Sequence, residues 1–497
     1  MSFVDIRFLA FLPIVFLLHY ALPERFRWFF LLGASYLFYA AWRPEYVLFL
    51  FAITVLDYVA ALQIEASANQ HARRFWLGAS LFGNLGMLFI FKYFNFVFET
   101  LHNVFSAVHV GIDVPLLTLI MPIGISFHVF QSISYTVDVY RKKVEPARHF
   151  GKFALFVSFF PQLVAGPIER PQHLLQQILR GGVFQLSEAR NGAKLIAWGF
   201  FKKLVIADNL APAVTAVFAN PSHFPGPSLA LAASMFAYEV YCDFSGYSDI
   251  ARGSAKLFGY DLVLNFNRPF ASRTTGEFWR RWHISLNAWF RDYMYYPLIF
   301  GKRNITVWRL HGAVLLTFLA TGFWHGANWT YGAFGFVNGL FIVVGLLTQK
   351  SRENMHRALG LDRLPKLHAA LQCLTIFSAF AFSCFFFRAL TIQESWYMIS
   401  HLFSHIPEFL RSCLSFSGVK HVLLMDTSIG DLHGVLIAIP AVVFLETIDY
   451  LRENGKFSPL SKKLPRIARF GLYGAFAVTI LIFGQFATSI PFIYFQF

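Results

Sequence analysis

Trp279-Arg280-Arg281-Trp282-His283-Ile284-Ser285-Leu286 opens a stretch of the chain that closes on Gly322-Phe323-Trp324-His325-Gly326-Ala327-Asn328-Trp329. Each of its two histidines directly follows a tryptophan, and the stretch is cationic at its start and apolar towards its end. Working outward from His325, the chain is uncharged in both directions. Gly312 to Ala320 leads in, and Tyr331 to Leu347 leads out. His325 therefore lies between two membrane-type segments, where a histidine is costly unless it has a partner, a water-filled cavity or a task. An ordinary pKa of about 6.5 makes it the natural proton acceptor near neutral pH. The plainer alternative is a histidine that only bonds a neighbouring helix.

The rest of the composition fits that setting. Hydrophobic residues make up 56% of the chain and charged residues 14%, against about 45–50% and about 25% in a soluble domain. An all-α, polytopic integral membrane protein follows. The formal net charge of +15 does not point to nucleic acid, because the Lys and Arg residues fall in short loops between apolar segments and orient the chain in the bilayer. Cys242, Cys373, Cys384 and Cys413 show no metal-ligand spacing and read as packing residues, so neither a metal site nor a disulfide is expected.

Apolar segments recur along the chain at Phe8–Leu22, Trp28–Ala41, Tyr46–Leu62, Phe75–Phe91 and Val114–Val137, the first of them read as a retained anchor. Basic loops alternate with loops that are not basic, which places the N-terminus outside the cytoplasm. Phe153–Ala165 lies between two basic loops and is too short to cross and return, so it reads as a re-entrant hairpin broken by Pro161 and Gly166-Pro167. Arg170 to Arg190 reads as an interfacial amphipathic helix on the cytoplasmic face. Ala193–Ile206 then crosses outward despite Lys202 and Lys203, and Leu229–Cys242 returns. Asp243–His311 is the longest polar stretch and is expected on the cytoplasmic side, dipping in part into the membrane. Counting crossings gives about twelve transmembrane helices plus the re-entrant and interfacial elements, in a single membrane-embedded domain spanning 1–497.

Further motifs precede the two Trp-His pairs in a fixed order. They are Pro122-Ile123-Gly124-Ile125-Ser126-Phe127, Tyr135-Thr136-Val137-Asp138-Val139-Tyr140-Arg141, Phe160-Pro161-Gln162-Leu163-Val164-Ala165-Gly166-Pro167-Ile168, Asp243-Phe244-Ser245-Gly246-Tyr247-Ser248-Asp249 and Asn265-Phe266-Asn267-Arg268-Pro269. The set resembles the membrane-bound O-acyltransferase family, and within it the bacterial alginate O-acetyltransferase branch with its peptidoglycan- and cellulose-acetylating relatives. The resemblance covers most of the chain and is densest in a core of residues 122–347.

The resemblance implies that His325 and His283 are the catalytic pair. Transfer from an activated thioester needs a base for the acceptor hydroxyl, or a nucleophile to carry the acyl group, and a donor for the developing oxyanion. His325 suits either of the first two roles, and His283 suits polarising the carbonyl or orienting the thioester. Trp282, Trp324, Asn328 and Trp329 are supporting candidates, with Asn328 as a hydrogen-bond donor. Arg280 and Arg281 suit the phosphates of a pantetheine donor, or else serve as positive-inside anchors. Asp243 and Asp249 are read first as structural groups, bonding helix termini or pairing with Arg252. Asn267-Arg268-Pro269 is read as a fold device.

The implied donor is acetyl-CoA, used as a substrate with no permanently bound cofactor. The implied partners are an extracytoplasmic polysaccharide acceptor and a periplasmic esterase-like (SGNH-type) acetyltransferase, with the bacterial inner membrane as the location. A teichoic acid D-alanyl transferase fed by a carrier protein is the nearest rival within the fold. A secondary transporter is the rival outside it, although the internal repeats usual there are not visible.

Overall fold

The computed structural model describes residues 2–110, 116–164, 166–301, 305–412, 414–415, 432–457, 459, 463–486 and 492–493. Cys413, Lys302, Arg303, Ala165, the stretch 416–431 and the C-terminal Phe497 lie outside the described residues. Among the described residues every regular element is a helix. Six helices are long and apolar enough to cross a membrane: Glu45–Ala66, Gln70–Ala107, Trp329–Leu347, Pro365–Arg388, His433–Glu453 and Arg466–Phe483. Their outward faces carry large apolar side chains, such as Phe82 at 82% and Ile467 at 87% exposure, a surface that only lipid would tolerate. The chain is a multi-pass membrane protein.

It forms two compact units. The first comprises 1–196 with 247–264, and the second 197–246 with 265–497. The helix Gly226–Leu257 contributes residues to both.

Local chemistry sets the boundaries and in several places moves them from the sequence expectation. The segment expected as Val114–Val137 begins its helix only at Ile125 and runs to Tyr140. Pro122 and Gly124 hold it back. Gly124 has φ +75°, and a Cβ there would lie 2.5 Å from the Leu163 carbonyl oxygen, so the chain needs glycine's freedom at this turn. The expected hairpin at Phe153–Ala165 is two short helices, Phe150–Ser158 and Phe160–Leu163, with the break at Phe159. The expected interfacial helix ends at Arg180, because Gly181 adopts φ +90°. Asp243 does not open a polar loop: Gly226–Leu257 continues through it for 32 residues.

That continuation also accounts for the two lysines in the preceding crossing. Leu186–Phe200 runs on through a π-helical segment, Phe201–Ala207, into Asp208–Ala219. Lys203 Nζ lies 2.8 Å from Asp208 and 2.7 Å from Asp243, with all three side chains no more than 4% exposed. The second carboxylate oxygen of Asp243 accepts from the Ile493 amide at 2.7 Å. Three buried charges thus satisfy one another, as low-dielectric burial requires. Asp243 pairs with Lys203 rather than with the expected Arg252.

The helical hairpin that carries His325 is built from caps and glycines. Thr306 caps Val307–His325 by accepting from the Arg309 amide, and Asn328 caps Trp329–Leu347 by accepting from the Thr330 amide. The two helices touch at Gly322 and Gly335, where a Cβ on either would come within 2.9 Å of the other's Cα. Small residues at this crossing let the backbones approach, and His325 is left at the end of its helix, 4% exposed.

Candidate active site

Both histidines belong to the second unit. His283 sits in the turn between the helices Thr275–Arg281 and Ile284–Phe290 and has φ +41°, ψ +56°. A non-glycine residue in this left-handed region costs about 1–3 kcal/mol and persists only where its surroundings hold it. The Ile284 amide donates to the Asn265 carbonyl at 2.8 Å, and the Asn267 amide donates to the Arg281 carbonyl at 2.9 Å. Asn265 Oδ1 accepts from Ser285 Oγ at 2.7 Å. Asn287 Nδ2 donates to the carbonyls of Trp282 and Trp279 at 2.6 and 3.0 Å. These bonds over-determine the turn and fix the imidazole, which is 1% exposed.

The imidazole packs against Phe244, with ring centroids 4.6 Å apart, and against Trp324 at 5.6 Å. Trp324 in turn lies 5.1 Å from His325, so one indole is in ring contact with both imidazoles. Burial lowers the pKa of His283, and the nearby His325 acts in the same direction, so His283 is held as the neutral ring. Loop charge puts His283 on the cytoplasmic side and His325 at the turn between an outward and an inward span, which predicts that a path joining them crosses much of the bilayer. The structure corrects this. The two flank a single side chain, a separation far below the ~30 Å thickness of a hydrocarbon core.

Phe334 and Phe387 complete the wall around His325, at 5.9 and 5.2 Å between centroids. Beside it lies a cavity of about 10 Å³, lined also by Phe236, Val240, Trp282, Phe380 and Cys384. That is room for about one water molecule. The arrangement sets two imidazoles around one indole, next to a small, phenylalanine-walled space.

The other candidates fall in different places. Trp282 is buried and lines the cavity. Arg281 is held by Glu277 at 2.9 Å and Glu453 at 2.8 Å, whereas Arg280 is exposed and makes no ion pair among the described residues. Asn328 spends its side chain on structure, capping its helix and donating to the Leu390 carbonyl at 3.0 Å, and the neighbouring Trp329 is 54% exposed. Asn267 is exposed and bonds through its backbone. Its neighbour Asn265 is fully buried and bonds Ser285. Asp249 stands one turn from Arg252, at 3.7 Å, in the first unit. Sequence reading passed over Asn265, Ser285, Phe387 and Cys384 as site residues. The Asn-Phe-Asn spacing held a clue, since the two asparagines proved to be one buried and one exposed.

Residues 46–391 match the membrane-bound O-acyltransferase family. The chain belongs to that family and is an acyltransferase. It is 38% identical over 397 residues to a probable alginate O-acetylase of Azotobacter vinelandii, covering 79% of this chain and 76% of the relative. It is 33% identical over 423 residues to a peptidoglycan O-acetyltransferase of Helicobacter pylori, covering 78% and 76%. A teichoic acid D-alanyltransferase of Streptococcus thermophilus is 30% identical over 262 residues, covering 49% of this chain and 62% of the relative.

Proposed function

We propose that the chain takes an acetyl group from cytoplasmic acetyl-CoA and passes it across the bacterial inner membrane for O-acetylation of an extracytoplasmic polysaccharide. Alginate is the first candidate, with cellulose and peptidoglycan next, and a periplasmic esterase-like acetyltransferase receives the group. The observation that carries this reading is the placement of His325 and His283 around Trp324 beside a cavity of about 10 Å³. A space with room for about one water leaves none for a long acyl chain. The breadth of the match to O-acetylating relatives, 79% of the chain against 49% for the D-alanylating one, favours acetyl over D-alanyl. In the membrane the chain acts as one domain of about twelve crossings, the six long apolar helices being joined by shorter ones.

His325 acts as the base. Its imidazole takes the proton from the acceptor hydroxyl as that oxygen attacks the thioester carbonyl. The carbon–sulfur bond then breaks, and the leaving thiolate takes the proton back from the imidazolium, giving an acetyl ester and free thiol. His283, neutral and fixed, orients the thioester or donates to the developing oxyanion. Ester-linked acetate on the secreted polysaccharide, compared at equal protein level between cells carrying the wild-type chain and cells carrying His325→Ala, tests the proposal. Loss of acetate is expected, and unchanged acetate refutes it.

A further inference from the structure

Within the first unit lies a pocket of about 230 Å³ that the transfer chemistry does not use. Its floor is charged. Lys256 Nζ is shared by Glu188 at 2.6 Å and Asp261 at 2.9 Å, and the two carboxylates keep 39% and 52% of their side-chain surface exposed. Arg180 completes the lining, exposed and without an ion pair among the described residues. The pocket is preformed. Gln177 bonds both the amide and the carbonyl of Asp261, at 2.8 and 3.0 Å, and the Gly182 amide donates to Tyr260 Oη at 3.2 Å. Gly259, at φ +79°, approaches so closely that a Cβ would sit 2.5 Å from the Val183 carbonyl oxygen.

The rim has the opposite chemistry. Val183, Phe184 and Leu186 are 68%, 44% and 55% exposed. Phe184 packs on Tyr20 at 5.0 Å, Tyr20 Oη donates to the Leu257 carbonyl at 2.8 Å, and the Arg27 guanidinium lies 5.2 Å over the Tyr20 ring. Tyrosines with arginine beside exposed aliphatic residues mark the headgroup level of a bilayer, and the Arg25/Arg27 loop belongs to its cytoplasmic side by charge. The pocket is smaller than the ~300–1,000 Å³ that encloses a whole ligand, which suits a ligand whose bulk stays outside.

We infer that this pocket binds the headgroup of a zwitterionic phospholipid carrying a primary ammonium, phosphatidylethanolamine, with its acyl chains lying over Val183 and Leu186. The phosphodiester meets the Arg180 guanidinium. The ammonium meets the Asp261 carboxylate, of which Lys256 takes one oxygen, and Glu188 Oε1, which also accepts from Asn191 at 3.2 Å. An anionic headgroup would gain Arg180 but face two carboxylates, and a quaternary choline would lack the N–H donors to bond them.

The test is to incorporate the purified full chain into nanodiscs of equal parts phosphatidylethanolamine, phosphatidylcholine and phosphatidylglycerol, and to measure the lipid retained on the protein by native mass spectrometry. The wild-type chain should retain phosphatidylethanolamine severalfold over the other two. Arg180→Ala and Asp261→Asn should each bring retention back to the bulk ratio, with an unchanged melting temperature. Equal retention of the three lipids by the wild-type chain overturns the inference without reference to any variant. So does a preference for phosphatidylglycerol, which would make this a plain anion site. Displacement of the lipid by millimolar soluble phosphoethanolamine would assign the pocket to a free metabolite and overturn the lipid reading as well.

Discussion

At the scale of single residues, the site rests on a histidine in a conformation that histidine does not prefer. His283 has φ +41°, and the Asn265–Ser285 bonds hold it there. Glycine adopts this region freely, so His283→Gly should be more stable than His283→Ala by about 1 kcal/mol, the reverse of their order inside a helix. Thermal melts of the two variants measure it, and Ala more stable than Gly would remove the claim of strain. Both should lose most of the transfer activity. The adjacent arginines separate in a similar way. Arg281 is committed to Glu277 and Glu453, so of the two Arg280 is the one we propose for the phosphates of the donor. Arg280→Ala should raise KM for acetyl-CoA several-fold with little change in kcat, because contacts to a remote group act mainly on binding. Steady-state kinetics with acetyl-CoA check this, and an unchanged KM would return Arg280 to the role of a membrane anchor.

At the scale of elements, the helix Gly226–Leu257 meets the π-helical turn at Phe201–Ala207 through buried charge. Asp243→Ala would take from the buried Lys203 the carboxylate at 2.7 Å and from the Ile493 amide its acceptor, a change expected to cost about 3–5 kcal/mol. Thermal unfolding in detergent reads this out, and a loss under 1 kcal/mol would mean that Lys203 is satisfied elsewhere. This junction also shows how far the sequence could be read. Lys202 and Lys203 looked wrong for a crossing because, besides the nearby Asp208, partners of theirs such as Ser245 and Asp243 lie on another helix, and no local pattern reports a partner 40 residues away. The helix starting at Ile125 was misjudged for a different reason: hydropathy continues through Pro122 and Gly124, while the backbone does not. By contrast, the hairpin holding His325 was legible. Its two apolar runs are local signals and each is a helix, although Asn328, read as a hydrogen-bond donor at the site, is the cap of the second.

At the scale of the whole molecule, the distribution of Lys and Arg orients the chain. Lys142, Arg281 and Arg357 should be reached by a thiol label from the cytoplasmic side when replaced by cysteine, and a cysteine at Asn220 only from outside. Labelling of position 281 only from outside would reverse the side from which the donor enters. The family was legible because its motifs are short and ordered along the chain. The proximity of the two histidines was not, because loop charge assigns a side of the membrane and says nothing about depth. Both imidazoles lie against Trp324, so the proposed mechanism requires donor carbonyl and acceptor hydroxyl to converge on one place, with His325 as the proposed base. The most direct measurement is release of free thiol from acetyl-CoA by the purified protein in nanodiscs, supplied with a hydroxyl acceptor. Wild-type protein should release thiol, and His325→Ala should not, while melting at the same temperature and still binding acetyl-CoA. A folded His325→Ala protein that releases thiol at the wild-type rate would contradict the account.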